Sequence, residues 1–170
     1  MSISFVIQTF TMNPDIPEDR VRLDIVTPEG AYHAVHITRR LADRFVPVLA
    51  NKAESQVSDG IPKDLALSMQ QEALRAERDS NPQPAVPALQ DSRPFLCQTI
   101  HLSDRKDGLL WTMTDDANFE AHMVLDAQGQ RAVLDVLLIT FRALEWSEIT
   151  FPEWVRERGQ GTALPPALLN

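Results

Sequence analysis

The hexamer Phe5-Val6-Ile7-Gln8-Thr9-Phe10 returns ninety positions later as Phe95-Leu96-Cys97-Gln98-Thr99-Ile100. Both copies are rich in β-branched and aromatic residues, so each reads as a strand. A strand repeated at that distance constrains the chain to two units of similar size. Laying the second half on the first sets Val21 near Leu109, Tyr32 on Phe119 and Thr38 on Asp126. Each half then reads strand, strand, strand, helix. The fold class expected is α+β, with internally duplicated β-β-β-α units forming antiparallel sheets packed with helices.

In the first half, Ile3, Phe5 and Ile7 alternate with Ser4, Val6 and Gln8, which predicts a strand over 3–10. Asn13-Pro14-Asp15-Ile16-Pro17-Glu18-Asp19 predicts a loop, because prolines lack a backbone donor and acidic residues favour turns. Val21, Leu23 and Ile25 alternate with polar neighbours, and a hairpin through Gly30 leads to a strand from Tyr32. Thr38 is a natural N-cap for a helix over 39–53, with Leu41, Phe45, Val48 and Leu49 at helical spacing. Pro47 inside it predicts a kink or break near residue 46.

Between the halves, Pro62 opens a helix to about residue 78 with a thin apolar stripe of Leu65, Met69, Ala73 and Ala76. Gln70, Gln71, Glu72, Arg75, Glu77 and Arg78 make the rest of that helix solvated, so it is expected on the surface. Asn81-Pro82-Gln83-Pro84-Ala85-Val86-Pro87 then reads as an extended linker.

The second half predicts strands at 95–102, 109–114 and 119–125, with a turn over Ser103–Gly108. Asp126 caps a helix over 127–146 that is apolar on nearly every side and therefore needs cover on more than one face. Thr150 and Glu153 have capping-box spacing for a final helix over about 151–158, stopped by Gly159. The organisation expected is a first unit at 1–57, a surface helix and Pro-rich linker at 58–93, a second unit at 94–158 and a flexible tail at 159–170.

Composition narrows function by exclusion. With 44% hydrophobic and 24% charged residues the chain has an ordinary globular mix. Its net charge of -8 and pI near 4.9 oppose binding to polyphosphates, so no nucleic-acid partner is expected. No apolar run approaches the roughly 20 residues that span a bilayer. A lone cysteine and the absence of a signal-like start fit a cytoplasmic protein with no membrane partner.

Candidate chemistry is sparse. Cys97 and His101 sit four residues apart on one strand, roughly 13 Å at about 3.3 Å per residue, too far for a dyad. Cys97 therefore reads as a buried structural thiol. His33 and His36 point to opposite strand faces, and His122 shares a face with Glu120. The aspartates at 104, 107, 115 and 116 lack calcium-loop spacing, so no metal and no cofactor are expected.

Two binding surfaces remain. Gln8 and Gln98 occupy matching positions, and with Tyr32 and Phe119 they could line a small-molecule pocket between the halves. Trp146, Phe151, Trp154 and Val155, in the aromatic segment 146–155, could anchor a protein partner. The leading expectation is a non-enzymatic interaction or assembly protein, a homo-oligomer or a partner-binder, using the helix 127–146 and that aromatic segment. The small-molecule module is the alternative, and an enzyme ranks third.

Overall fold

The computed structural model describes residues 2–58, 60–89, 93–116 and 119–157. In chain order the elements are β1 (Ile3–Val6), β2 (Thr9–Asp15), β3 (Arg20–Val26), β4 (Tyr32–Thr38), α1 (Arg39–Glu54), α2 (Lys63–Ser80), β5 (Phe95–Cys97), β6 (Thr99–Arg105), β7 (Gly108–Thr114), β8 (Phe119–Leu125), α3 (Ala127–Ala143) and α4 (Glu153–Arg156). The α+β class and the matching order of strands and helices in the two halves are as the sequence indicates.

The repeated hexamer is where the chain changes sheets. Each predicted first strand is in fact two, split at the glutamine. One sheet has the order β1-β8-β7-β6 and the other β2-β3-β4-β5. Ile7 still donates its N–H to His122 O at 2.8 Å in the first sheet, and Gln8 donates to Val26 O at 3.0 Å in the second. At the other corner Gln98 donates to Thr114 O at 2.9 Å. Since β1 continues into β2 and β5 into β6, the pairings close a ring around both sheets.

Each half thus lends its first strand to the other. The three strands of one half pair antiparallel, as expected, and the fourth is added in parallel from the opposite half. β1 sets Phe5 opposite Ala121, and β5 sets Phe95 opposite Val35. Antiparallel neighbours can be joined by tight turns within a half, whereas a parallel neighbour requires a long crossover, and here the rest of the chain supplies it.

Several predicted boundaries shift for physical reasons. Residues 13–15 belong to β2 and not to a loop, with Pro14 opposite Val21. β2 pairs with β3 alone, so the missing proline N–H faces the unpaired edge and costs no ladder bond. Likewise Ser103, Asp104 and Arg105 extend β6, and the turn shrinks to the residues before Gly108. Helix α1 runs unbroken through Pro47, capped by Thr38 Oγ1, which accepts from Leu41 N at 3.3 Å.

Helix α3 begins at the predicted cap, with Asp126 Oδ1 accepting from Gly129 N at 2.7 Å, but ends at Ala143 and not at 146. Glu145 takes a left-handed conformation at φ 56°. Trp146 N then donates to Phe141 O at 2.8 Å and Glu145 N to Arg142 O at 3.1 Å, the paired bonds of a Schellman C-cap. A glycine usually marks this stop, and its absence concealed it in the sequence. The final helix is one turn, Glu153–Arg156, entered by Pro152 with no side-chain cap, and Thr150 Oγ1 has no hydrogen-bond partner. Its sequel after Glu157, with the predicted tail, lies outside the described residues, as does Asp59 of the turn before α2.

The core lies between the two sheets and the helices. Trp111 of β7 is fully buried, stacked on Phe45 of α1 at 5.3 Å and edge-on to Phe10 of β2 at 5.7 Å. Between the two sheets, His33 stacks on Phe5 at 4.1 Å, Phe5 approaches Phe95 of the other half at 6.5 Å, and Phe95 stacks on Phe119 at 4.9 Å. The helices bridge the halves: α1 packs on β4 of its own half and on β6 of the second, and α3 on β2 of the first and on β8 of its own. Splitting the halves would therefore expose both cores.

Candidate functional site

The two matched glutamines belong to different sheets. Gln8 is exposed where the chain joins β3, whereas the Gln98 amide nitrogen donates to the Asp116 carboxylate at 2.7 Å. Tyr32 keeps 43% of its surface exposed, but Phe119 is buried at 3% beneath Phe95. The interior between the halves is filled by aromatic rings at these positions. An open depression lies elsewhere, at the β6–β7 turn, lined by Asp104, Arg105, Lys106 and Asp107.

The aromatic segment folds back into the core. Trp146, Phe151, Trp154 and Val155 are all buried, and Phe141 of α3 meets Trp146 and Phe151 edge-on, each at 5.0 Å. Each tryptophan finds a polar partner in the first half. Trp146 Nε1 donates to Asp19 Oδ1 at 2.7 Å, and Trp154 Nε1 donates to Glu54 Oε1 at 3.0 Å. An apolar ring with its one polar atom satisfied is a stable core element, which leaves these side chains committed to the fold. Helix α3 is covered by α1, α2, α4 and β2 of the same chain, so its apolar circumference is accounted for without a second subunit.

The titratable groups are likewise engaged. Cys97 is buried and burial pushes its thiol up to about 12, far from a reactive thiolate. His36 Nε2 lies 3.0 Å from Asp15 Oδ2 on the outer face of the second sheet. Beside it Asp24 accepts from Arg22 Nε at 2.8 Å and from Asn13 Nδ2 at 3.2 Å. The linker crosses this face: Val86 is buried, its N–H donates to Thr11 Oγ1 at 2.8 Å, and Arg22 Nη2 donates to Leu89 O at 3.2 Å. His122 Nδ1 is 3.6 Å from Glu120 Oε1, sharing a strand face as the spacing predicts. Among the described residues no three His, Cys, Asp or Glu side chains gather as metal ligands.

The surface that stands out is on α2. The expectation that Leu65, Met69, Ala73 and Ala76 seat this helix, with Gln71 and Arg75 in solvent, is overturned. The helix seats itself through Leu67, Gln71, Leu74 and Arg75, all buried. Arg75 is the reason the opposite stripe wins. Its Nε donates to Asp135 Oδ1 of α3 at 2.6 Å, and its Nη1 and Nη2 donate to the Glu157 and Val155 carbonyls at 2.7 and 2.6 Å. Arg78 Nη1 completes the cluster on Asp135 Oδ2.

Burial alone would push the Asp135 carboxyl up. The charges and hydrogen bonds of Arg75 and Arg78 outweigh it and hold that carboxyl below its ordinary value. Gln71 Nε2 adds a bond to Arg131 O at 3.3 Å. The inner stripe is thus polar at its centre, so an apolar periodicity search passes over it. One signal was legible: Asp135 is the lone charge within Val133-Leu134-Asp135-Val136-Leu137, where a buried carboxylate needs a cationic partner.

With its polar side turned inward, α2 presents apolar side chains to solvent. Ile61, just before the helix, Leu65 and Met69 are exposed by 56%, 53% and 58%. At 100° per residue Leu65 and Met69 share one side of the helix with the exposed Ala73 and Ala76. No helix of the described residues is long and apolar enough to cross a membrane. No protein-family model, curated protein or solved structure matches the chain.

Proposed function

We propose that this chain is a non-enzymatic protein-interaction protein whose contact surface is the outer face of α2. The observation that carries it is the pair Leu65 and Met69, each more than half exposed on a helix already anchored through its other side, with Ile61 equally exposed just before it. Large apolar side chains in a continuous row are the usual core of a helix-in-groove or helix-on-helix contact. Full burial of such a side chain is worth roughly 1.5–3 kcal/mol, so finishing the burial of each contributes about 1 kcal/mol.

The engagement of Cys97, His36 and the Asp135 cluster in the fold supports a binding role over a catalytic one. Leu65→Glu with Met69→Glu in the full-length tagged chain tests the proposal. A protein co-purifying stoichiometrically from the native host should be lost from this variant at unchanged melting temperature. Retention of every co-purifying protein by the variant would refute it.

A further inference from the structure

We propose that the occupant of this face is a basic amphipathic helix of a partner protein, an inference that rests on the α2 face being the contact surface. Charge decides the class of partner. By helical phase Glu72 and Asp79 stand beside the line of Leu65 and Met69, and Glu77 lies on its other flank; all three are exposed. Glu77 also accepts from Gln128 Nε2 at 2.9 Å, and Asp79 lies 3.8 Å from Arg78. Arg75 turns inward to Asp135, and Arg78 divides its guanidinium between Asp135 and Asp79, which leaves Glu72 without an arginine of this helix beside it.

An apolar row rimmed by carboxylates is complemented by an apolar row rimmed by Lys or Arg. The same rim disfavours a second copy. In an antiparallel α2 pair the acidic edge carrying Glu72 and Asp79 would face its own equivalent, and each chain adds a net charge of -8. The pattern of side-chain size restricts the partner further. Large residues occupy the first half of the row and alanines the second, so a partner helix can approach most closely over Ala73 and Ala76 and needs its bulkier apolar side chains there.

The test uses the full-length chain and two designed helical peptides of the same 18-residue length as α2, each with a leucine row, one flanked by lysines and the other by glutamates. Fluorescence anisotropy should show the lysine peptide binding at least about tenfold tighter, with the difference shrinking between about 50 and 300 mM salt. L65E/M69E should abolish binding, and Glu72→Lys, Glu77→Lys and Asp79→Lys together should reverse the preference at unchanged melting temperature.

Equal binding of the two peptides, or an unreversed preference in the lysine variant, would overturn the basic-helix assignment. If neither peptide binds while L65E/M69E still loses its co-purifying protein, the contact face stands and the partner class falls. A concentration-dependent dimer dissolved by L65E/M69E would assign the face to a second copy instead.

Discussion

Replacing Asp135 by alanine should unfasten α2 and α4 from α3 together. The Asp135 side chain is fully buried, and it neutralises Arg75, itself 10% exposed, and Arg78 at 30%. Breaking a buried pair from one side leaves an uncompensated charge and typically costs about 3–5 kcal/mol. Arg75 keeps the Val155 and Glu157 carbonyls but loses its counterion, which places the expected loss within that range. For a domain of this size it corresponds to a melting temperature lower by roughly 6–20 °C. Urea unfolding of wild type and Asp135→Ala, with the same dependence on denaturant, reads the loss directly.

A pH arm makes the test specific. The folded-state value of Asp135 is lower than in the unfolded chain, so the ionised carboxylate is the form that folding favours. Its contribution is complete above the ordinary value of 3.8 and is lost as pH falls through the lower folded value. Asp135→Asn should lack that acid-limb component. A loss of less than about 1 kcal/mol in Asp135→Ala, the size of an exposed ion pair, or an unchanged acid limb in Asp135→Asn, would refute the assignment of the cluster as the anchor of α2.

Three further outcomes follow from local geometry. Glu145 holds a left-handed conformation at φ 56°, so Glu145→Gly should stabilise by up to about 1 kcal/mol in chemical denaturation; a loss would mean that its side chain supports the cap. Gly108 sits at φ 145° with Leu125 O only 2.5 Å from where a Cβ would stand, so Gly108→Ala should destabilise by about 1–3 kcal/mol, and neutrality would argue against the β7–β8 register. Burial pushes the His36 imidazole down and Arg20 and Arg22 add to this, against the pull of Asp15, so the unfolded chain takes up the proton first. Stability should therefore fall as pH drops below 6.5, and His36→Gln should make that decline shallower; an identical decline would place its source elsewhere.

The elements that obey one periodicity were legible in the sequence. Val21, Leu23 and Ile25 alternate and face the core, and Thr38 and Asp126 cap the helices they were expected to cap. What the sequence could not display is pairing between distant segments. Nothing in Phe5-Val6-Ile7 says that it will lie parallel to β8, because register across the halves depends on packing of Phe5, Phe95 and Phe119 in space. The face of α2 was misjudged for a related reason. Its outer row is the more apolar of the two, and only the buried demand of Asp135 for Arg75 turns the helix the other way. That inversion is what brings Leu65 and Met69 to the surface.

Hydrogen–deuterium exchange of the full-length chain, alone and with its co-purified partner bound, tests the interaction surface most directly. Slowed exchange concentrated in residues 61–80, with β1 to β8 and the segment 146–155 unchanged, is the expected result. Protection on the outer strands or around Trp146 and Trp154, with α2 exchanging as in the free chain, would contradict it.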